Sequence, residues 1–253
     1  MSTTCSGRCA TVPSARAFSV SETPLLIGTQ DLHLWLCPHH GVADSDHFKR
    51  QLLSHYARVA PADWRFSRGE HGKPGLLDSP RPLDFNLSHS GGWLACAVTA
   101  GTVVGLDIEY CDPDRDVLKL AGRFFQAYEI ADLQACNKEE QTARFYDYWT
   151  LKESSIKARG EALGQGLESV GFRLDLPAGT GGVTGLRESR GDPDNLTIPA
   201  YYCLLEPIVD YRLAVCWLRP TTGLPHLRMF ELRGAGQPAK EFSKPLRAAS
   251  ITH

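Results

Sequence analysis

The sequence predicts an α+β fold, on three observations. Strand-like runs with period-two alternation occupy much of residues 31–110. The middle of the chain, about 117–159, is helical in spacing. Strand spacing returns after residue 168 and closes on a hairpin over 201–219. Strands and helices thus come in blocks rather than in regular βα alternation. Each half, split near residue 113, is long enough for one compact sheet-and-helix unit.

The elements follow in order. Residues 31–36 set Leu32, Leu34 and Leu36 against Asp31, His33 and Trp35, which is strand spacing. Phe48, Leu52, Leu53 and Tyr56 recur at helical spacing over 45–59, with Asp44 or Ser45 as cap and Pro61 limiting the end. The Gly- and Pro-rich passage 68–82 reads as loop. Residues 85–87 read as a short strand, and 93–99 and 102–110 as two strands joined by a turn at Ala100-Gly101. Helices are expected over 117–125, 127–135 and 139–159, then a strand over 168–176. Residues 177–195 read as a Gly-rich loop, and 201–206 with 211–219 as the final hairpin. The expected organisation is a flexible leader (1–18), an N-terminal half (19–113), a C-terminal half (114–220) and a peripheral tail (221–253).

Composition bounds the function. With 42% apolar and 22% charged residues and a net charge of −2, the chain reads as an ordinary globular protein. It lacks the basic excess of a general nucleic-acid binder, although a local basic pocket is compatible with that charge. No apolar run is long enough to cross a bilayer, and residues 1–18 lack the apolar core of a signal peptide. Arg8 and Arg16 without acids leave an organelle transit sequence as the minor reading, and the cytoplasm is the default address. The eight cysteines, at 5, 9, 37, 96, 111, 136, 203 and 216, form no CxxC pair, so neither a disulfide framework nor a zinc site is expected.

The chemistry concentrates in four places. Asp107 and Glu109 lie two apart on an expected strand, so both carboxylates leave one face. Taken alone they read as solvated acids at the end of an edge strand. The apolar run around them makes burial the sharper reading, and two buried acids need a cation. Glu153 lies on the long helix with Trp149, Ile156 and Lys157 at helical spacing. A surface ion pair with Lys157 is the plain reading, but Trp149 and Ile156 turn that stripe inward. Three carboxylates with water and phosphate oxygens suit Mg²⁺ better than zinc. Lys73, between Gly72 and Pro74, reads equally as a phosphate contact or as a solvated lysine in a turn. Ser88-His89-Ser90-Gly91-Gly92 reads as a hairpin turn or as donors for a nucleotide phosphate. A Ser-His nucleophile pair is disfavoured, because adjacent side chains on an extended chain point apart and no Gly-x-Ser-x-Gly elbow occurs.

In order along the chain stand Gly72-Lys73-Pro74, Asn86-Leu87-Ser88-His89-Ser90, Gly105-Leu106-Asp107-Ile108-Glu109 and Trp149-x-x-Lys152-Glu153-Ser154-x-x-Lys157. With Arg123-Phe124-Phe125 and Glu129 between the last two, this order resembles the 4'-phosphopantetheinyl transferases of the surfactin-synthetase-activating type, over roughly residues 30–220. The resemblance implies a pseudo-dimer of two similar halves with coenzyme A in the cleft between them. It implies transfer of phosphopantetheine to a serine of an apo acyl or peptidyl carrier protein, with release of adenosine 3',5'-bisphosphate. By motif matching, Asp107, Glu109 and Glu153 would hold Mg²⁺ on the diphosphate, and Lys157 would contact that diphosphate. Lys73 and His89 would contact coenzyme A phosphates, His89 at the 3'-phosphate. Ser88 would lie against the nucleotide, and Arg50 would reach coenzyme A from the first helix. Ile108 cannot ligate, so a water is expected in its coordination position.

Glu153 is the candidate general base, directly or through a metal-bound water, with Lys157 as the catalytic cation. Lys152, on another helical face, takes a supporting role. The segment from Arg115 to Phe125, with Lys119, Arg123 and Phe124, is either the carrier-docking surface or a structural helix. Two halves in one chain already build the cleft, so a monomer is expected. Two other readings use the same residues: a Mg²⁺-dependent hydrolase of a nucleotide diphosphate, and a non-catalytic carrier-binding protein.

Overall fold

A computed structural model describes residues 23–39, 44–174, 184–190, 200–218, 225–233, 239–244 and 246–250. Two sheets pack face to face, and each carries helix on its outer face. The first has strand order β12-β11-β1-β5-β4 and the second β6-β10-β9-β13-β8-β7.

In the first sheet, β1 (Asp31–Pro38), β5 (Trp93–Ala100) and β4 (Leu83–Ser90) pair antiparallel. Alternation decides their packing. Leu32, Leu34, Leu36, Ala95 and Ala97 face the second sheet, whereas Trp35, Cys37, Leu94, Cys96 and Val98 face α1 (Ser45–Leu53). Asp44 caps α1 by accepting from the His47 N–H at 2.7 Å. Phe48, Leu52 and Leu53 seat α1 on the sheet with no exposed surface, and each such burial contributes about 2 kcal/mol.

The second sheet repeats the plan. In β6 (Val103–Tyr110) and β10 (Tyr211–Leu218), Val104, Leu106, Ile108, Leu213, Val215 and Trp217 join the core between the sheets. Ala214 and Cys216 face the helical layer of α2 (Val117–Phe124), α3 (Ala127–Ala135) and α4 (Lys138–Arg159). The strand β9 (Ala200–Leu205) completes the expected hairpin with β10. The 22-residue α4 is capped by Asn137 and ends at Gly160, whose φ of 66° is a glycine conformation. It is buried on most sides, which explains its apolar and polar residues alternating without a clean stripe.

Four expectations change. The tail after residue 221 is not peripheral: β11 (His226–Glu231) pairs parallel with β1, β12 (Lys240–Phe242) extends that sheet, and β13 (Leu246–Ser250) enters the second sheet. Its Arg, Pro and Gly content hid Met229, Phe230 and Leu232, all buried. The boundary at residue 113 does not separate the sheets, because β6 lies before it and pairs in the second sheet. The supposed loop over 68–82 contains β3 (Pro74–Leu77), in a hairpin with β2 (Arg65–Arg68). The Gly-rich loop over 177–195 contains β8 (Thr184–Arg190), paired with β7 (Val170–Leu174), while α5 (Leu163–Ser169) precedes β7 and takes the first two residues of the strand expected over 168–176. The leader 1–18 lies outside the described residues. No described helix is long and apolar enough to cross a membrane.

The face of the first sheet against α1 carries His33, fully buried, with Nδ1 2.9 Å from the Tyr56 hydroxyl. Burial, helped by Arg228, pushes the His33 imidazole down to about 4. Its unfolded value is near 6.5, so between these values the unfolded chain binds the extra proton and stability falls as pH falls. We expect His33 to cost about 2 kcal/mol on going from pH 7 to pH 5. Urea unfolding of His33→Gln should show that much less loss over the same interval; an equal loss would remove His33 as the cause.

Candidate active site

One close approach builds the site. A Cβ on Gly105 would lie 2.0 Å from the Ser154 carbonyl oxygen and 2.3 Å from the Ala158 nitrogen. Only a glycine lets β6 and α4 cross at this distance. Two residues on from that contact, Asp107 leaves the same face of β6. On the helix, Glu153 and Lys157 each stand one residue before the atoms that touch Gly105.

These groups therefore meet. The Lys157 ammonium donates to Asp107 Oδ1 at 2.6 Å and lies 3.6 Å from Glu153 Oε2. Asp107 is 2% exposed, and its Oδ2 is buried without a hydrogen-bond partner. Burial, then Asp107, pushes the Glu153 carboxyl up to about 7, and Lys157 opposes the rise. Burial and Asp107 likewise raise Glu109. Burial works to lower Lys157, but the attraction of Asp107 and Glu153 wins and holds it above the usual lysine range.

Strand β4 closes the other side. Its even-numbered residues, Asp84, Asn86, Ser88 and Ser90, all reach β6. Asp84 Oδ2 accepts from the Val104 N–H at 2.8 Å, and Asn86 Oδ1 accepts from the Leu106 N–H at 2.9 Å. Ser88 donates to Asp107 Oδ1 at 2.7 Å and accepts from Lys157 at 3.2 Å. Ser90 donates to Glu109 Oε2 at 2.5 Å and accepts from the Tyr110 N–H at 3.0 Å. Side chains thus stitch the two sheet edges where no backbone ladder runs.

At the Lys73 end of this junction a cleft of ≈ 320 Å³ opens, lined by Lys73, Pro74, Gly75, Asp84, Val103 and Arg159 among others. Lys73 donates to the Val104 carbonyl at 2.9 Å and to Asp84 at 3.2 Å, so it holds the junction as well as facing the cleft.

Lys152 is fully buried and pairs with Glu129, also fully buried, at 2.8 Å. It donates to the Val170 and Leu167 carbonyls at 2.6 and 3.1 Å, while Glu129 accepts from the Gln126 and Phe172 N–H groups. Burial pushes Lys152 down and Glu129 up, and their mutual attraction opposes both. Lys152 anchors α4 to α3, α5 and β7 and does not reach the acids.

Of the residues singled out from sequence, the structure brings together Asp107, Glu109, Glu153, Lys157 and Ser88. Ser88 spends its proton on Asp107. Lys73 lies at the far end of the same seam. His89 leaves the opposite face of β4, beside Phe85 and Leu87, and is exposed. Arg50 is engaged locally: it donates to Asp46 at 2.5 Å and to the Trp64 carbonyl at 2.7 Å, with its guanidinium over the Phe66 ring. Sequence reasoning missed Asp84 and, though it named Asn86, Ser90 and Glu129 within motifs, gave those three no individual role. For Asp84, Asn86 and Ser90 a signal existed: polar residues recur at every second position from 84 to 90 beside apolar Phe85 and Leu87.

The oxygens of Asp107, Glu109 and Glu153 could hold a hard divalent cation, and the orphaned Asp107 Oδ2 fits one. Among the described residues no three His, Cys, Asp or Glu side chains converge as a ready metal cage.

A family described as the 4'-phosphopantetheinyl transferase superfamily matches residues 103–216, which hold β6, α4 and β10. The 4'-phosphopantetheinyl transferase Sfp of Bacillus subtilis (strain 168) is 36% identical over 181 residues, 72% of this chain and 75% of that protein. The chain belongs to the 4'-phosphopantetheinyl transferase superfamily. Its similarity extends to the transferase HetI of Nostoc sp., 37% identical over 127 residues, 49% of this chain and 53% of that one. AcpT of Salmonella typhimurium is 40% identical over 110 residues, 44% and 55% of the two chains. This superfamily member thus carries its acids and Lys157 inside the matched segment, whereas Ser88 and Ser90 reach them from outside it.

The Gly105 contact can be tested on the fold. Gly105→Ala must push α4 off β6 and should destabilise by roughly 3 kcal/mol or more in urea unfolding. An unchanged unfolding midpoint would show that the crossing is looser than described.

Proposed function

We propose that this protein transfers 4'-phosphopantetheine from coenzyme A to the serine hydroxyl of an apo acyl or peptidyl carrier protein. Membership of the transferase superfamily carries the reading. The meeting of Asp107, Glu153 and Lys157 between β6 and α4, with Glu109 on the same strand face as Asp107, supports it. The second product is adenosine 3',5'-bisphosphate, because the phosphorus–oxygen bond to the carrier serine forms as the bond to the nucleotide's bridging oxygen breaks.

Asp107, Glu109 and Glu153 would hold Mg²⁺ on the diphosphate. When bound, the ion would draw charge from the bridging oxygen that leaves with the nucleotide. The residues supply the rest by position and charge. Lys157, held by Asp107 and Ser88, presents its ammonium to the diphosphate and stabilises the negative charge that grows there. Glu153 accepts the proton of the carrier serine, whose hydroxyl is neutral at pH 7. Lys73 faces the cleft at the other end of the seam, where it would contact a coenzyme A phosphate. His89, exposed near the other end of β4 from Lys73, would meet the 3'-phosphate. Arg50 would have to leave its bonds with Asp46 and Trp64 to reach coenzyme A, so its part in binding is the weakest of the set.

A monomer suffices, since one chain builds both sides of the seam. Among the described residues no disulfide forms, and a cytoplasmic address belongs to the same proposal. The exposed Leu118 on α2 and the Arg123–Phe124 stack lie where a carrier would dock.

Intact-protein mass spectrometry of an apo carrier with coenzyme A and Mg²⁺ tests the activity. The carrier should gain one phosphopantetheine, and chelation of Mg²⁺ should abolish the gain. Asp107→Ala should cut the rate by at least about 100-fold, as expected for removal of a charge used in the transition state, with folding retained. No gain on any carrier would contradict the reading; nucleotide release without a carrier would favour a hydrolase.

A further inference from the structure

The two serines of β4 are wired alike. A hydroxyl has one proton and two lone pairs. Ser88 accepts from the Lys157 ammonium, and Ser90 accepts from the Tyr110 N–H. With an N–H donor on its oxygen, each serine has its single proton to give, and each gives it to one acid: Ser88 to Asp107, Ser90 to Glu109. Both bonds cross from the edge of the first sheet to the edge of the second.

Each acid is held by one oxygen only. Asp107 Oδ2 is buried with no hydrogen-bond partner. Glu109 Oε1 takes no hydrogen bond from a described residue, while its Oε2 is fixed at 2.5 Å from Ser90. The free oxygens belong to neighbouring residues on one strand face. A long glutamate side chain has three rotatable bonds, and without a partner it would have to lose that freedom when it binds a cation. Its neighbour Asp107 also repels it from the shared site.

We propose that Ser90 is a positioning residue for metal binding, holding Glu109 in a ligating pose from across the seam between the two sheets. The inference rests on the Mg²⁺-dependent transferase reading. Ser90 touches neither metal nor substrate; it acts through Glu109, and Ser88 does the same for Asp107. Metal affinity therefore depends on the two sheet edges being joined, because each ligand's anchor stands on the other sheet.

The test uses Mn²⁺ as a probe in the full-length protein with coenzyme A, read by electron paramagnetic resonance. Ser90→Ala should bind Mn²⁺ about 10-fold more weakly than the parent protein, the usual scale for losing a ligand's outer partner. The Mg²⁺ concentration giving half-maximal transfer should rise by a similar factor. Because Ser90 also receives the Tyr110 N–H, the pair Ser90→Thr and Ser90→Val separates the hydroxyl from packing. Threonine should keep the parent affinity and valine should match alanine. Equal Mn²⁺ affinity for the two would overturn the proposal. Asp107→Ala separates the two levels of the argument. If it loses Mn²⁺ while Ser90→Ala does not, the positioning role fails and the transferase reading stands. If Asp107→Ala binds Mn²⁺ normally, the metal assignment fails and the role of Ser90 falls with it.

Discussion

The crossing of β6 and α4 at Gly105 is the constraint on which the site depends. A hydrogen atom in place of a side chain lets a strand and a helix approach to backbone contact, where a Cβ would stand 2.0 Å from the Ser154 carbonyl. That proximity converts two local patterns into one site. Asp107 follows Gly105 by two on the strand, while Glu153 and Lys157 are four apart on the helix. Neither pattern alone places a carboxylate within 2.6 Å of a lysine. The rest of the fold holds the crossing in place. The apolar faces of both sheets fix β6 from behind, and the core under α2 and α3 fixes α4 from in front.

Charge is buried at three places along α4, and each has its own partners. Glu129 and Lys152 lock the helix to β7 and α5. Near its middle, Asp147 meets Arg212 of β10 at 2.9 Å and Arg247 of β13 at 3.3 Å. Near its end, Lys157 meets Asp107 and Glu153. Buried ion pairs are weak evidence for stability, since desolvation offsets much of their attraction. What they do here is fix register: a slip of α4 by one residue would strand several charges at once. The first two sets need no ligand. The third has more acid than base, and this imbalance separates a functional cluster from a structural one.

Much of this was legible in the sequence, for physical reasons that can be named. Strands β1, β5, β6, β9 and β10 stand out as mostly apolar runs because each of their faces meets a buried core. The helices α2 to α4 carry caps and packed spacing, so their bounds came within a residue or two. The acids stood out because two carboxylates in an apolar run are costly. Other features were hidden. Met229 and Phe230 sit in a short parallel strand whose flanks are Arg- and Gly-rich, and parallel pairing to β1 leaves no local signature. The roles of Asp84, Asn86 and Ser90 depend on a neighbouring strand edge, which spacing alone cannot supply. Motif matching set Ser88 against the nucleotide but could not show that its hydroxyl proton goes to Asp107. Lys152 could be placed on another helical face than Glu153 from spacing alone, about 100° per residue, but its buried pairing with Glu129 could not.

If β6 and α4 act as one unit, Asp107 and Lys157 should not contribute independently. A double-mutant cycle on transfer to an apo carrier, with Asp107→Asn, Lys157→Met and both together, tests this most directly. The expected result is strong non-additivity, with the double variant no slower than the slower single variant by more than a small factor. Losses that multiply would mean that strand and helix serve separate functions, and the crossing at Gly105 would not be what makes the site.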